Sequence, residues 1–156
     1  MSEAPQSPLK IEPDRVAAEI GALAERMAQG AKLFGEVKDE DVVIAATPKD
    51  EVWRQDKVTL YRYRPLAEPK VRTPVLIVYG LIGRYTMADL QEDRSLVRNL
   101  LKLGLDLYVV DWGNPSRADR WVTIDDYVDD YLAECVNVIS ERHGVDKVSL
   151  LGICEG

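Results

Sequence analysis

The chain has 156 residues, with 20 basic against 27 acidic side chains, a net charge of −7 and a pI near 4.8. That balance argues against general nucleic-acid binding, which needs a basic footprint, while 46% hydrophobic content supports a real core. No apolar stretch approaches the roughly 20 residues needed to span a membrane, and the N-terminus lacks the basic start and apolar run of a signal peptide. Cys135 and Cys154 show no metal or redox spacing, so a cytoplasmic, reduced-thiol setting is the simplest expectation.

Residues 1 to about 13, with Pro5, Pro8 and Pro13, read as a flexible lead. A helical pattern starts at Asp14, with Val16, Ile20, Leu23 and Met27 on one stripe, and Gly30 and Gly35 punctuate its end. This helix either packs on its own domain or offers an amphipathic face to a partner or an apolar surface. The domain division expected is residues 1–45, lead and amphipathic helix, and residues 46–156, part of a catalytic domain.

Residues 51–56 and 58–63 read as two short strands, followed by a proline-bearing loop through residue 73. Residues 75–79 form an uninterrupted apolar run, a strand whose two faces must both be covered. Ser95 caps a helix over 96–103 that Gly104 stops, and residues 105–110 form a second buried strand. Thr123, with Asp126 three residues on, opens the longest helix, whose stripe runs from Ile124 through Tyr131 and Cys135 to Ile139. Cys135 therefore belongs to the core. Residues 148–151 read as a third buried strand, and the alternation of strands and helices gives an α/β fold with a mostly parallel sheet and flanking helices.

That last strand runs into Gly152-Ile153-Cys154-Glu155-Gly156. Gly-x-Cys-x-Gly after a strand is the pattern of a nucleophile elbow, with cysteine in place of the usual serine. The glycines allow a strained central residue and close packing on either side of it. The backbone N–H of Glu155 is then placed for a developing oxyanion, with Ile82, in the loop after the 75–79 strand, as the second backbone donor. That loop, residues 80–85, carries two glycines and Arg84, a candidate for holding an anionic substrate; an ordinary strand-to-helix turn has the same composition. The bland alternative for Cys154 is a buried thiol beside a glycine turn. His143, the one histidine, stands eleven positions earlier at the other end of the strand, on the order of 15 Å or more away by strand rise, and is not its base. Chain order likewise excludes Asp111 and Asp119 from the acid's role, since in this fold acid and histidine follow the nucleophile.

Several long segments resemble the catalytic subunit of polyhydroxyalkanoate synthases, best its two-subunit types III and IV. They are residues 47–54 and 57–63, Asp89 to Val97, Asp111-Trp112-Gly113-Asn114-Pro115, Arg117 to Trp121, Asp126-Tyr127 and the cysteine box. The resemblance implies the N-terminal half of an α/β-hydrolase fold, cut after the elbow. It also implies an acyltransferase in which the Cys154 thiolate attacks a 3-hydroxyacyl-coenzyme A thioester, coenzyme A leaves and a polyester grows, with no cofactor. The family's activating histidine and aspartate have no counterpart among these residues, so the chain alone is expected to be inactive. Expected partners are the 3-hydroxyacyl-coenzyme A substrate, a second synthase subunit, further copies of the chain and the polymer granule surface. There are two departures from the family pattern. Gly83 and Thr86 stand where relatives often have Asn and Tyr, and Glu155 stands where glutamine is common. A carboxylate there would tend to raise the thiol pKa. The alternatives are a cysteine-containing α/β hydrolase acting on esters, and an inactive truncated remnant that binds a partner. With nothing to pair with the nucleophile strand, poor solubility of the isolated chain is expected.

Overall fold

The computed structural model describes residues 12–36, 38 and 44–156. The expected flexible lead lies outside the described residues as far as position 11. The chain divides into two compact units, Met1–Val42 and Val43–Gly156.

In the first unit, α1 (Pro13–Glu36) begins with proline and Asp14, a favourable first turn. It runs on through Gly30 and Gly35, so Gly30 does not end it. A glycine costs a helix about 1 kcal/mol but does not forbid it. At 24 residues α1 is the longest helix described, a place expected for the helix after Thr123. Its stripe of Val16, Ile20, Leu23 and Met27 is exposed, and none of its residues is buried.

The second unit is built on a five-stranded sheet. β1 (Lys49–Gln55) and β2 (Val58–Tyr63) form an antiparallel hairpin, and β2 pairs antiparallel with β6 (Leu107–Asp111). β3 (Val75–Tyr79) lies parallel to β6 on one side and to β7 (Ser149–Ile153) on the other, giving the order β1-β2-β6-β3-β7. Parallel pairing is thus confined to β6, β3 and β7, and the sheet as a whole is mixed.

Alternation along β3 and β6 divides the core between two faces. Leu76, Val78, Tyr108 and Val110 face Tyr131, Cys135 and Ile139. Ile77, Leu107 and Val109 face Val97 and Leu101 of α2 (Leu96–Lys102). Both faces of these apolar strands are covered, as their unbroken runs require.

β7 departs from the expectation of a third buried strand. It pairs on one side only, none of its residues is buried, and Leu150 is 56% exposed. Leu151 and Ile153 nevertheless pack toward the α2 face.

Local signals hold at α2. The Ser95 hydroxyl accepts from the Arg98 N–H at 2.9 Å, and Gly104 ends the helix with φ +83°. A Cβ there would also press on the Glu68 carbonyl at 2.6 Å. Just before α2 stands a small hairpin, β4 (Asp89–Gln91) and β5 (Arg94–Ser95), that sequence periodicity does not reveal. Its Asp89 is buried and accepts from the Thr47 hydroxyl at 2.7 Å, the Thr47 N–H at 3.1 Å and the Ser95 hydroxyl.

The helix after Thr123 opens with the expected capping box: Asp126 accepts from the Thr123 N–H at 2.6 Å, and the Thr123 hydroxyl accepts from the Asp126 N–H at 3.3 Å. From Asp126 to Leu132 it is π-helical, then becomes α3 (Ala133–His143), which Gly144 closes in the left-handed conformation. The wide turns were not legible in the apolar spacing. Tyr131, Cys135 and Ile139 reach the core, whereas Ile124 and Val128 remain 63% and 50% exposed.

Candidate active site

Sheet order brings the carboxyl ends of β6, β3 and β7 side by side, and the residues singled out in the sequence gather there. β7 ends in a sharp turn with Cys154 at φ +63°, one of three non-glycine residues described with positive φ. Such a conformation costs an L-residue roughly 1–2 kcal/mol and persists only where its surroundings enforce it. They do so through glycine. A Cβ on Gly152 would overlap the Gly156 carbonyl, and one on Gly156 would overlap the Val78 carbonyl of β3. The turn is therefore folded tightly over the end of the neighbouring strand, and the Cys154 thiol is left exposed and unpaired with Cys135.

Glu155 faces the first residue of the loop after β3. A Cβ on Gly80 would overlap its carboxyl oxygen and come within 3.3 Å of its backbone nitrogen. The Glu155 carboxylate is the largest influence on the thiol and pushes its pKa up, while the Glu155 backbone N–H acts in the opposite direction by favouring the thiolate.

In the same loop Ile82 is 92% exposed. Arg84 is not free: its guanidinium donates to the Asn114 side-chain oxygen at 2.7 Å, joining the loop after β3 to the loop after β6. The end of the β3 loop is anchored by Tyr85, which stacks on Tyr61 with ring centroids 5.9 Å apart. Lys49 Nζ sits 5.5 Å from the Tyr85 centroid and 5.7 Å from that of Tyr61, an attraction between cation and ring faces. Burial pushes the Tyr85 hydroxyl up to about 12.

The loop after β6 carries residues that sequence reasoning marked only through a resemblance. Trp112 donates from Nε1 to the Tyr79 carbonyl at 2.7 Å and meets Tyr127 edge-on at 5.3 Å. Asp111 accepts from the Gly113 N–H at 3.0 Å. Gly113 has φ +68° and would drive a Cβ into the Lys57 carbonyl. Lys57 Nζ in turn lies 3.0 Å from Asp119, whose carboxyl is held at about 2 by the Ser116 N–H first, then the Ser116 hydroxyl and Lys57. The turn between β1 and β2 is thus a platform for this loop, a long-range pairing with no local sequence signal.

Two cavities lie at this end of the sheet, the first of them against the elbow. An apolar one of about 320 Å³ is lined by Leu81, Ile82, Trp112, Ile124, Val128 and Glu155. A more polar one of about 400 Å³ lies between the two loops, against Arg84, Tyr85, Asp111 and Asn114. His143 belongs to neither: its Nε2 is 2.7 Å from the Tyr108 hydroxyl and 3.6 Å from Asp106, at the amino end of β6. Asp111 and Asp119 are both engaged by their own loop. Among the described residues no cluster of three or more His, Cys, Asp or Glu is placed to hold a metal ion.

A family model for the α/β hydrolase fold matches residues 73–156, and one described as poly-beta-hydroxybutyrate polymerase (PhaC) N-terminus matches residues 17–100. The chain is 49% identical over 132 residues to the poly(3-hydroxyalkanoate) polymerase subunit PhaC of Synechocystis sp., covering 85% of this chain and 35% of that one. It is 44% identical over 151 residues to the subunit of the same name from Allochromatium vinosum, covering 96% and 42%. Against the Cupriavidus necator subunit, identity is 32% over 113 residues. The chain spans about two fifths or less of the length of these relatives.

Proposed function

The chain belongs to the poly-beta-hydroxybutyrate polymerase family and carries part of an α/β-hydrolase fold, and from that membership we propose that its parent protein is an acyltransferase that polymerises 3-hydroxyacyl-coenzyme A. One observation carries the reading: a thiol held in the left-handed conformation at the carboxyl end of β7, on a turn that packs only with glycine at 152 and 156. Cys154 is the nucleophile. Its sulfur forms a bond to the thioester carbonyl carbon, the bond to the coenzyme A sulfur breaks, and coenzyme A leaves with the electron pair. The hydroxyl oxygen of one acyl unit then bonds to the thioester carbonyl carbon of another, that carbon's bond to sulfur breaks, the departing thiolate takes up the hydroxyl proton, and the polyester on the remaining sulfur is one unit longer.

Glu155 and Ile82 offer the backbone N–H groups for the oxyanion, and Arg84 the charge for an anionic substrate. The proton of the thiol passes to a base other than His143, which is at the far end of the sheet. The apolar cavity beside Glu155 fits an acyl chain, and no cofactor is required. The division into residues 1–45 and 46–156 separates an associating segment from the catalytic one. The exposed stripe of α1 and the exposed Ile82, Trp121 and Ile124 support partners of an apolar kind: a second synthase subunit, further copies, or the polymer granule surface. The setting is the cytoplasm, at the granule, and no described helix is long and apolar enough to cross a membrane.

The test is turnover of 3-hydroxybutyryl-coenzyme A by the full-length protein. Coenzyme A release with insoluble polymer is expected, and Cys154→Ala should abolish both. Release of free 3-hydroxybutyrate in step with coenzyme A, without polymer, would make the protein a hydrolase instead.

A further inference from the structure

Tyr79, the last residue of β3, is the common root of the elbow and of the loop that faces it. On one side it pairs with Ile153, the residue before Cys154. Along the chain it leads directly into Gly80 and the loop that carries Ile82. How far the Ile82 N–H stands from the thiol therefore depends on how firmly Tyr79 and the residues after it are held. The side chain of Ile82 is almost wholly exposed and does not anchor the loop. Two bonds from the loop after β6 do. Trp112 donates from Nε1 to the Tyr79 carbonyl at 2.7 Å, and Asn114 accepts from the Arg84 guanidinium at 2.7 Å, so residues 80–83 are spanned from both ends. Trp112 is itself fixed. Tyr127 meets its ring edge-on at 5.3 Å, and the next residue, Gly113, lies against the Lys57 carbonyl with φ +68°.

We propose that Trp112 and Asn114 are positioning residues for the oxyanion: they clamp the loop after β3 at Tyr79 and at Arg84, and so keep the Ile82 N–H at a fixed reach from Cys154. This rests on reading Cys154 as the nucleophile and Ile82 as an oxyanion donor. Both residues act through the loop and not on the reacting atoms. Trp112 is the stronger hold, because its bond is partly buried, whereas water competes for the exposed bond between Arg84 and Asn114. A donor stabilises developing charge best when it is in place before the charge appears. A loop that must be ordered again in each turnover slows the chemical step and leaves substrate binding nearly as it was.

Trp112→Phe keeps an aromatic ring beside Tyr127 and removes the N–H. In the full-length protein, acylation is read as coenzyme A released from 3-hydroxybutyryl-coenzyme A in the first turnover. At saturating substrate its rate should fall about tenfold, less than the roughly 10²–10³-fold cost of deleting an oxyanion donor outright. The half-saturating concentration should change little. Alkylation of Cys154 by iodoacetamide develops no oxyanion, so its rate should be the same in variant and unmodified protein. Asn114→Ala, a surface change, should slow acylation several-fold with the same pattern. It decides the matter if Trp112→Phe does not fold, which labelling of buried Cys135 would reveal. Unchanged acylation in a folded variant, or an equal fall in acylation and alkylation, would overturn the proposal. Hydrogen exchange over residues 80–88 needs no substrate and should quicken in both variants, because the loop opens more often. If the unmodified protein releases no coenzyme A, the polymerase reading falls and exchange alone decides: unchanged exchange sinks the clamp.

Discussion

Asp89→Ala should be among the most damaging substitutions in the unit from Val43 to Gly156, though it lies outside the site. The Asp89 carboxylate is 1% exposed, and its three donors come from two separate segments, Thr47 and Ser95. A further backbone bond, from the Ala45 N–H to the Asp89 carbonyl at 2.7 Å, completes the join. Alanine leaves the Thr47 N–H buried without an acceptor, worth about 1–3 kcal/mol, and removes two hydroxyl bonds to a charged group, each about 1 kcal/mol once the hydroxyls reorient. The expected loss is about 3–5 kcal/mol. Asp89→Asn keeps one acceptor oxygen and should lose roughly half as much. Urea unfolding of the full-length protein, followed by tryptophan fluorescence, measures both. A double-mutant cycle with Thr47→Val should give a coupling of about 1–2 kcal/mol, as residues in one network do. A loss below about 1 kcal/mol for Asp89→Ala, or strict additivity with Thr47→Val, would refute the argument that this carboxylate joins the two segments.

Two other substitutions test the core and the β6 loop. Asp119 is held at about 2, below its ordinary 3.8, so its bonds to Ser116 and Lys57 contribute stability above about pH 4 that is lost as pH falls toward 2. The midpoint of thermal unfolding should fall less over that range in Asp119→Asn; Asp126, likewise lowered by Thr123, keeps part of the slope in both proteins. Cys135 is fully buried with its thiol pushed up to about 12, so Cys135→Ser should cost about 1–3 kcal/mol by burying a hydroxyl, with turnover per folded molecule unchanged.

What the sequence disclosed was local. β3 was legible from five consecutive apolar residues, α2 from Ser95 at one end and Gly104 at the other, and the elbow from two glycines around a cysteine. Cys135 was placed in the core by helical spacing alone. What it concealed depends on pairing across the chain. The strands of the β4–β5 hairpin have three and two residues, too few for any alternation to register. The π-helical turns before α3 carry apolar residues at intervals that an α-helix would also show, while each N–H meets the carbonyl five residues back rather than four. The role of Lys57 beneath the Asp111–Asp119 loop has no neighbour in sequence to announce it.

The elbow's close packing also limits where this protein can change. Positions 152 and 156 admit nothing beyond hydrogen, because backbone carbonyls occupy the space a Cβ would need. Position 154 is held by its chemistry, and Ile153 is turned into the cluster on the α2 face. Of the five, position 155 alone has a side chain that neither the fold nor the nucleophile requires, and it lies over Gly80, next in sequence to the thiol. Variation tolerated by the scaffold is therefore channelled to the one place where it retunes reactivity, and a library saturating residue 155 would sample enzyme kinetics at little risk to folding.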